Sequence, residues 1–244
     1  MTTEKLPQCR VVIPMKDLMD SKTRLQMLLP DVLCSGLVLM MLERVVSAVV
    51  RADVCQCLVV GGDSAVRRIA TSAGAEWTHD PAENLNDTVR LAMKDAYDDG
   101  MDAALYLPGD IPLLTPDDVI EILFVGRALT RPVGVPAATG GGTNALLIPA
   151  GLEMDIELGP RSYARHRAAA KRAGTTIRTL NLPTVATDVD EYTHYQRLKW
   201  GLPNFAPLLL DWMEWLHYFR RFAPPPLPAR GETDDSQSDA VERR

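Results

Sequence analysis

One short stretch limits the fold more than any other, because it joins a buried strand to a carboxylate at the end of that strand. Residues 103–107 form a continuous apolar run, which is typical of a strand covered on both faces of a sheet. Pro108 and Gly109 end the run, and Asp110 follows directly. In an open α/β sheet the carboxyl ends of the strands face the ligand crevice, so Asp110 is placed to hold a metal ion. The alternative is a turn aspartate that caps its own backbone.

The other apolar segments repeat this pattern along the chain. Short apolar runs predict strands, and the amphipathic segments between them predict helices. The predicted strands cover residues 10–15, 54–60, 75–78, 103–107, 133–137, 145–149 and 176–182. Strands that alternate with helices form a mostly parallel sheet with helices on both faces. The sequence therefore predicts a doubly wound α/β fold.

The first predicted strand leads into a loop that carries three cationic side chains, Lys16, Lys22 and Arg24. Cations grouped directly after a strand favour the binding of a polyphosphate. Residues 16–25 contain no glycine, so the loop is not a Walker-type phosphate loop. A solvated basic loop is the alternative interpretation.

Three further places favour anion binding. Residues 139–144 form a turn with three successive glycines, which allow the backbone to approach a ligand closely. Gly159 and Ser162 begin a predicted helix, where N–H groups and a hydroxyl can bind a phosphate, although simple capping explains them equally well. Asn86 or Asp87 is expected to cap an earlier helix, whose N-terminus would offer N–H groups to an anion or a base edge.

A second carboxylate pair lies late in the chain. Asp188 and Asp190 alternate with Val189, so in an extended segment the two carboxylates point the same way. Such a pair is costly unless a cation lies between the two groups. The histidines show no metal-ligand spacing and are expected to be surface or capping residues; they are His79, His166, His194 and His217.

The bulk composition excludes several classes of protein. A chain of 244 residues, 46% hydrophobic and 24% charged, suits one large globular domain or one domain with an appendage. The net charge of −6 is unlike the basic composition of most nucleic-acid-binding proteins, so no nucleic-acid partner is predicted. The four cysteines lack the paired spacing of a zinc site, so we expect buried free thiols and a cytoplasmic protein. No run is expected to span a bilayer, and no membrane partner is predicted.

The character of the chain changes near residue 200. Residues 205–222 predict a helix with a wide apolar surface and a narrow polar stripe. So wide a surface must be covered, and we expect it to pack against protein, more across a homodimer than within one chain. Residues 224–244 are proline-rich and then polar, which is typical of disorder. The predicted organisation is a main domain at 1–200, a helical extension at 201–223 and a tail at 224–244.

Five motifs follow one another in a recognisable order between residue 11 and about residue 199. They are VVIPMKDLMDSKTRL (11–25), LPGDIPLLTPDDV (107–119), GGTNALLIP (141–149), LGPRSYARH (158–166) and LPTVATDVDEY (182–192). In this order they resemble the 2-phospho-L-lactate guanylyltransferase family of coenzyme F420 biosynthesis. The resemblance implies a Rossmann-like nucleotidyltransferase sheet, of the nucleotide-diphospho-sugar transferase type. The main domain would then be the catalytic domain.

The resemblance also implies roles for individual side chains. The magnesium-binding carboxylates would be Asp110, Asp188 and Asp190. The contacts to a phosphorylated three-carbon acid would come from Thr143, Gly159 and Ser162. The GTP phosphates would face Lys16, Lys22 and Arg24, and Asn86 would lie near the guanine. The catalytic group would comprise Lys16, Lys22 and Asp110.

The reaction implied by the resemblance is the transfer of GMP from GTP to 2-phospho-L-lactate, phosphoenolpyruvate or 3-phosphoglycerate, with release of pyrophosphate. The attacking phosphate oxygen is already ionised near neutral pH, so the reaction needs no general base. Catalysis then depends on alignment and on charge neutralisation by magnesium and lysines. Two alternatives stay open: a magnesium-dependent nucleotidyltransferase with a sugar phosphate or molybdopterin acceptor, and a non-catalytic nucleotide-binding scaffold.

Overall fold

A central sheet organises the protein, in a computed structural model that describes residues 5–18, 22–82 and 84–222, without the side chains of residues 23, 24, 220 and 222. Its strands are β1 (Cys9–Met15), β2 (Gln56–Gly61), β3 (Glu76–Thr78), β4 (Ala103–Tyr106), β5 (Val133–Pro136), β6 (Thr143–Pro149) and β7 (Arg178–Thr179). The order across the sheet is β3-β2-β1-β4-β6-β5-β7. Strand β6 runs antiparallel to β4 and β5, and the other pairs are parallel. The predicted mostly parallel α/β sheet is confirmed.

Most helices lie in connections between strands, and three follow β7. They are α1 (Thr23–Gln26), α2 (Asp31–Ala52), α3 (Ser64–Ser72), α4 (Leu85–Asp98), α5 (Pro116–Gly126), α6 (Ser162–Arg172), α7 (Pro183–Ala186), α8 (Tyr192–Gly201) and α9 (Phe205–Phe222). The sequence patterns did not predict α7 or α8, and they predicted β7 too long. Helix α8 buries only Tyr195 and Leu198 among polar neighbours, so its helical periodicity is weak.

Alternate residues of the central strands supply two cores, one on each face of the sheet. On one face, Val11 and Leu105 pack into the larger core with α2, α3 and α5. On the opposite face, Val12 and Ala104 pack against α4 in a smaller core. This alternation is the period of two that an extended strand imposes, and it fixes which side of the sheet each helix covers.

Helix α2 is the most apolar long helix of the larger core. By length and composition it could cross a membrane, so the expectation that no segment would pass this test is wrong. The structure buries 72% of its apolar window inside the protein, under neighbouring helices and against the sheet. A helix that is apolar all round is typical of the core of a large domain as well as of a bilayer. In this structure α2 is a core helix.

Helix α9 covers α2 within the same chain. Its side chains Phe205, Leu209 and Leu216 belong to the larger core, and a Cβ at Gly36 of α2 would lie only 3.0 Å from Met213 Cγ. The expectation that this apolar face packs across a homodimer rather than within one chain is therefore wrong. A homodimer through the exposed side of residues 205–222 stays a prediction, as does the division of the chain near residue 200. The predicted disorder of residues 224–244 lies outside the described residues.

Truncation of a buried α9 side chain should destabilise the whole domain. Leu216 is 1% exposed on α9, so Leu216→Ala should lower the free energy of unfolding by about 2–5 kcal/mol through lost burial and a residual cavity. Leu210 is 56% exposed on the same helix, and Leu210→Ala should change the free energy of unfolding by less than about 0.5 kcal/mol. Urea denaturation of both variants measures the difference. Equal effects would show that α9 is not part of the cooperative core.

Candidate active site

A cleft of about 880 Å³ opens where β1 and β4 end and β6 begins. Because β6 runs antiparallel to β4, its first residue reaches the same edge of the sheet as the last residues of its neighbours. The cleft brings together most of the predicted site residues: Lys16, Lys22, Asp110, Thr143, Gly159, Ser162, Asp188 and Asp190. Arg24 lies in α1, and its side chain lies outside the described part of the chain.

Lys22 is the central cation of this cleft. Its Nζ donates hydrogen bonds to Asp110 Oδ2 and, at 2.5 Å, to Asp190 Oδ1. Burial acts to lower the pKa of Lys22, but attraction to Asp110 and Asp190 outweighs burial, so the pKa is raised. Lys22 is therefore a protonated ammonium that offsets two carboxylates from distant parts of the sequence.

The segment that carries Asp188 and Asp190 lies against the turn after β4. The backbone N–H of Val189 donates to the carbonyl of Asp110 at 3.1 Å, and the Val189 side chain is buried. The two flanking carboxylates are half-buried at the cleft, which confirms the alternation predicted for this segment. Asn144 Nδ2 donates to Asp188 Oδ1 at 3.2 Å, so the first residues of β6 help to fix this carboxylate.

Negative charge is crowded on this side of the cleft. Burial raises the pKa of Asp188, and the neighbouring charge of Asp110 raises it further. As the side chains stand, no three Asp, Glu, His or Cys residues within 5–18, 22–82 and 84–222 form a cluster that could hold a metal ion. Lys22 instead supplies the cation between Asp110 and Asp190. The donor set is nevertheless of the hard carboxylate type that Mg²⁺ prefers, and a divalent cation would relieve the same repulsion.

Another part of the cleft lining, the hydroxyl wall formed by Thr143 and Ser162, is polar and uncharged. Thr143 Oγ1, on the first residue of β6, lies 2.9 Å from Ser162 Oγ and 2.9 Å from His166 Nδ1. His166 is fully buried, so the expectation of a surface or capping histidine is wrong for this residue. Its Nε2 accepts a hydrogen bond from the backbone N–H of Glu157 at 3.0 Å. The sequence offered one usable signal, because His166 follows Ser162 by four residues and lies on the same face of α6.

The other three histidines show how far that expectation holds. His79 and His217 are exposed, as expected. His194 is half-buried and lines the cleft, and its Nδ1 lies 3.4 Å from the backbone nitrogen of Asp190. His194 therefore supports the Asp190 segment at the helix start, in keeping with a capping role.

The start of α6 does not offer its first backbone N–H groups to a ligand. The N–H groups of residues 161, 162 and 163 donate to the carbonyls of residues 140, 159 and 141 at 3.1–3.2 Å. The expectation that backbone N–H groups here bind a phosphate is therefore wrong for residues 161–163, and the predicted contact of Gly159 stays a prediction. The glycine-rich turn holds α6 in place, with Gly140 and Gly141 at φ of 67° and 66°, where a side chain would be strained. The hydroxyl-bearing residues Thr143 and Ser162 line the cleft beside this helix start.

Asn86 has a different position from the one expected. Helix α4 begins at Leu85 and is capped by Asn84, whose side chain accepts from the N–H of Asp87, so neither Asn86 nor Asp87 is the cap. Asn86 Oδ1 accepts from the N–H of Leu158 at 2.6 Å and ties α4 to the segment before α6. Asn86 is not among the residues that line the cleft, and its predicted place near a guanine stays a prediction.

The fold is that of nucleotide-diphospho-sugar transferases. The chain is similar in structure to a Desulfovibrio desulfuricans G20 protein assigned to that group, with a TM-score of 0.65 and 17% identity. The similarity covers 88% of this chain and 96% of that protein. The predicted fold class is confirmed. The curated relatives and the matching family model, described next, show that the protein is a nucleotidyltransferase.

The sequence comparisons define the family within that class. Residues 9–197 match the family model described as guanylyl transferase CofC like. Phosphoenolpyruvate guanylyltransferase of Rubrobacter xylanophilus is 36% identical over 188 residues, which cover 77% of this chain and 92% of that protein. The enzyme of the same name from Roseiflexus castenholzii is 36% identical over 180 residues, covering 74% and 82%. The chain belongs to the CofC-like guanylyl transferase family.

Acid should destabilise the protein partly through His166. Burial, with a smaller effect of Arg165, lowers the pKa of His166 to about 4. An unfolded chain has a histidine pKa of about 6.5, so it binds the proton first, and stability falls as pH drops from about 6.5 to 4. His166→Gln cannot titrate and should lose less stability across this window, by on the order of 2 kcal/mol.

Denaturation midpoints from pH 7 to pH 4 measure this slope. His217→Gln, which changes an exposed histidine of α9, is the matched control and should keep the wild-type slope. The same slope in wild type and His166→Gln would show that His166 does not titrate abnormally in the folded protein.

Proposed function

We propose that this protein transfers GMP from GTP to a small phosphorylated three-carbon acid, releasing pyrophosphate, as a step of coenzyme F420 biosynthesis. The observation that carries the proposal is that two unlike sets of side chains line the same cleft. One set, the charged wall, holds lysines and carboxylates, including Lys22 and Asp110, and the other, the hydroxyl wall, presents the hydroxyls of Thr143 and Ser162. The curated relatives named above are phosphoenolpyruvate guanylyltransferases, so phosphoenolpyruvate is the first acceptor to test.

The hydroxyl wall is where the acceptor phosphate would bind. Thr143 and Ser162 present two neighbouring oxygens whose hydrogens can be donated to phosphate oxygens. Gly159 also lines the cleft, with φ of 114°, and the nearest atom to a Cβ placed there would be in Arg165 at 3.7 Å. Recognition by hydroxyls also discriminates strongly against a ligand without the phosphate.

The charged wall is where the nucleotide phosphates would bind. Lys16 and Lys22 line the cleft, and Arg24 follows on α1. Asp110, Asp188 and Asp190 would hold Mg²⁺, which when bound neutralises phosphate charge and acts as a Lewis acid. The support for this assignment is the oxygen donor set and the raised pKa of Asp188. Asn86 is proposed to contribute near the guanine from its position on α4.

The chain's own residues then align two anions and counter their charge. An oxygen of the acceptor phosphate forms a bond to the α-phosphorus of GTP, and the bond from that phosphorus to the pyrophosphate oxygen breaks. The nucleophile is already ionised, so no side chain has to remove a proton. The lysines counter the charge that develops on the nucleotide phosphates, while the hydroxyl wall keeps the acceptor oxygen in line.

Pyrophosphate release tests the proposal directly. The purified full-length protein is incubated with GTP and Mg²⁺, and separately with 2-phospho-L-lactate, phosphoenolpyruvate or 3-phosphoglycerate. We expect acceptor-dependent pyrophosphate with at least one of these acids and none without an acceptor. Pyrophosphate only with a sugar phosphate or molybdopterin would favour the other acceptor class. GTP binding without pyrophosphate from any acceptor would favour a non-catalytic protein.

Removal of one carboxylate should abolish most of the turnover. Asp110→Asn should lower kcat by at least about 100-fold, the scale of losing one preorganised electrostatic contact. The fold should survive, because the change removes one of several like charges. Asp117→Asn, an exposed acid at the start of α5, is the matched control and should keep near wild-type turnover. Near wild-type kcat in Asp110→Asn would exclude the proposed role.

A further inference from the structure

We propose that His166 is a positioning residue that directs the hydroxyl hydrogens of Thr143 and Ser162 toward the acceptor phosphate. His166 is fully buried and is not among the residues that line the cleft, and its Nδ1 bonds to Thr143 Oγ1, so it acts through that hydroxyl and not on the reacting atoms. The inference rests on the proposed function and adds a reason why the hydroxyls of the acceptor site donate hydrogen bonds. The evidence for it is the set of hydrogen-bond partners of the imidazole.

The tautomer of His166 follows from what surrounds its two nitrogens. Nε2 faces the backbone N–H of Glu157 at 3.0 Å, and a backbone N–H can only donate. Nε2 must therefore be the unprotonated, accepting nitrogen of a neutral imidazole. The single ring hydrogen is then on Nδ1, and it is donated to Thr143 Oγ1 at 2.9 Å.

The Nδ1 hydrogen determines what the two hydroxyls can do next. With one lone pair of Thr143 Oγ1 filled by Nδ1–H, the threonine cannot direct its own hydrogen back to the ring. Thr143 and Ser162 then hold two hydroxyl hydrogens, and the hydrogen bond between them uses only one. Both residues line the cleft, so the second hydrogen is left as a donor to a ligand there. The opposite tautomer would draw one hydrogen to the ring and leave a lone pair at the cleft.

The neighbours of His166 hold it in this state. Burial, and less strongly the charge of Arg165, keep the pKa of His166 near 4, so the ring is neutral at working pH. The Arg165 guanidinium donates to the carbonyls of Glu157, Leu158 and Pro160, and it pairs with the Glu157 carboxylate at 3.2 Å. These contacts hold residues 157–160 in the position from which the Glu157 N–H reaches Nε2.

The position of the proton can be observed without any substrate. Nitrogen-15 NMR of the histidine side chains in the full-length protein, with His166→Gln for assignment, reports which ring nitrogen carries hydrogen. We expect the Nδ1–H tautomer for His166. A proton on Nε2, or a doubly protonated ring at pH 7, would overturn the inference.

Two substitutions separate the donor on Nδ1 from the acceptor on Nε2. The amide nitrogen of asparagine can occupy the place of Nδ1 and donate to Thr143, while the amide oxygen of glutamine can occupy the place of Nε2 and accept from Glu157. His166→Gln should therefore raise the acceptor KM about tenfold, and His166→Asn should stay within about threefold of wild type. The GTP KM should change less than about twofold in both.

A purely structural role for His166 predicts the opposite order. If His166 only anchors Glu157, glutamine is the better replacement, and the acceptor KM follows the loss of stability. That order, or equal changes in the acceptor and GTP KM values, would overturn the inference. In the Thr143→Val background, His166→Gln should change the acceptor KM by less than about twofold, because the hydrogen bond between His166 and Thr143 is already lost. Additive effects of the two substitutions on this KM would contradict the inference.

Binding of inorganic phosphate, measured by titration, separates this inference from the proposed function. If wild type shows no turnover with any phosphoacid, the proposed function fails, while phosphate binding and the tautomer still decide the role of His166. Wild type and His166→Asn should bind phosphate more tightly than His166→Gln. Should His166→Gln fail to fold, Thr143→Ser, which keeps the hydroxyl, should bind phosphate more tightly than Thr143→Val. Equal binding within the measured pair would overturn the inference.

Discussion

Like charges brought together at one edge of the sheet are the constraint on which the rest of this site depends. Asp110 and Asp190 come from distant parts of the sequence, and each needs a positive partner at close range. Lys22 fulfils that need for both and stays protonated, because attraction outweighs its burial. Two of the carboxylates that line the cleft are therefore offset by one buried cation, which lowers the repulsion that they would exert on an anionic ligand.

In the proposed function, the two sets of side chains in the cleft would hold phosphate by different physical means. The charged set around Lys22 would act through net charge, which acts over distance and tolerates variation in geometry. The set around Thr143 would act through the direction of hydrogen bonds, which is short-ranged and depends on which atom carries each hydrogen. A ligand with several phosphates suits the first kind of recognition, and a small ligand with one phosphate suits the second.

The sequence predicted those features that depend on neighbouring residues. The run at 103–107 is continuously apolar and the segment around Val189 shows a period of two, so strand, burial and carboxylate direction follow from local sequence. His166 was missed because its partner Thr143 belongs to another element, and no local pattern reports that contact. For α9 the apolar face was predicted correctly, but an apolar pattern does not say what will cover it. The same reasoning applies to the start of α6, whose N–H groups meet a distant turn.

The packing of α9 on α2 also has a consequence for the order in which the protein is synthesised. A ribosome makes α2 early and α9 as the last described helix, yet the two share one core. During most of translation the nascent chain therefore lacks the helix that covers one side of α2, and an exposed apolar surface of this kind draws chaperones and promotes aggregation. The larger core is completed only when α9 has left the ribosome.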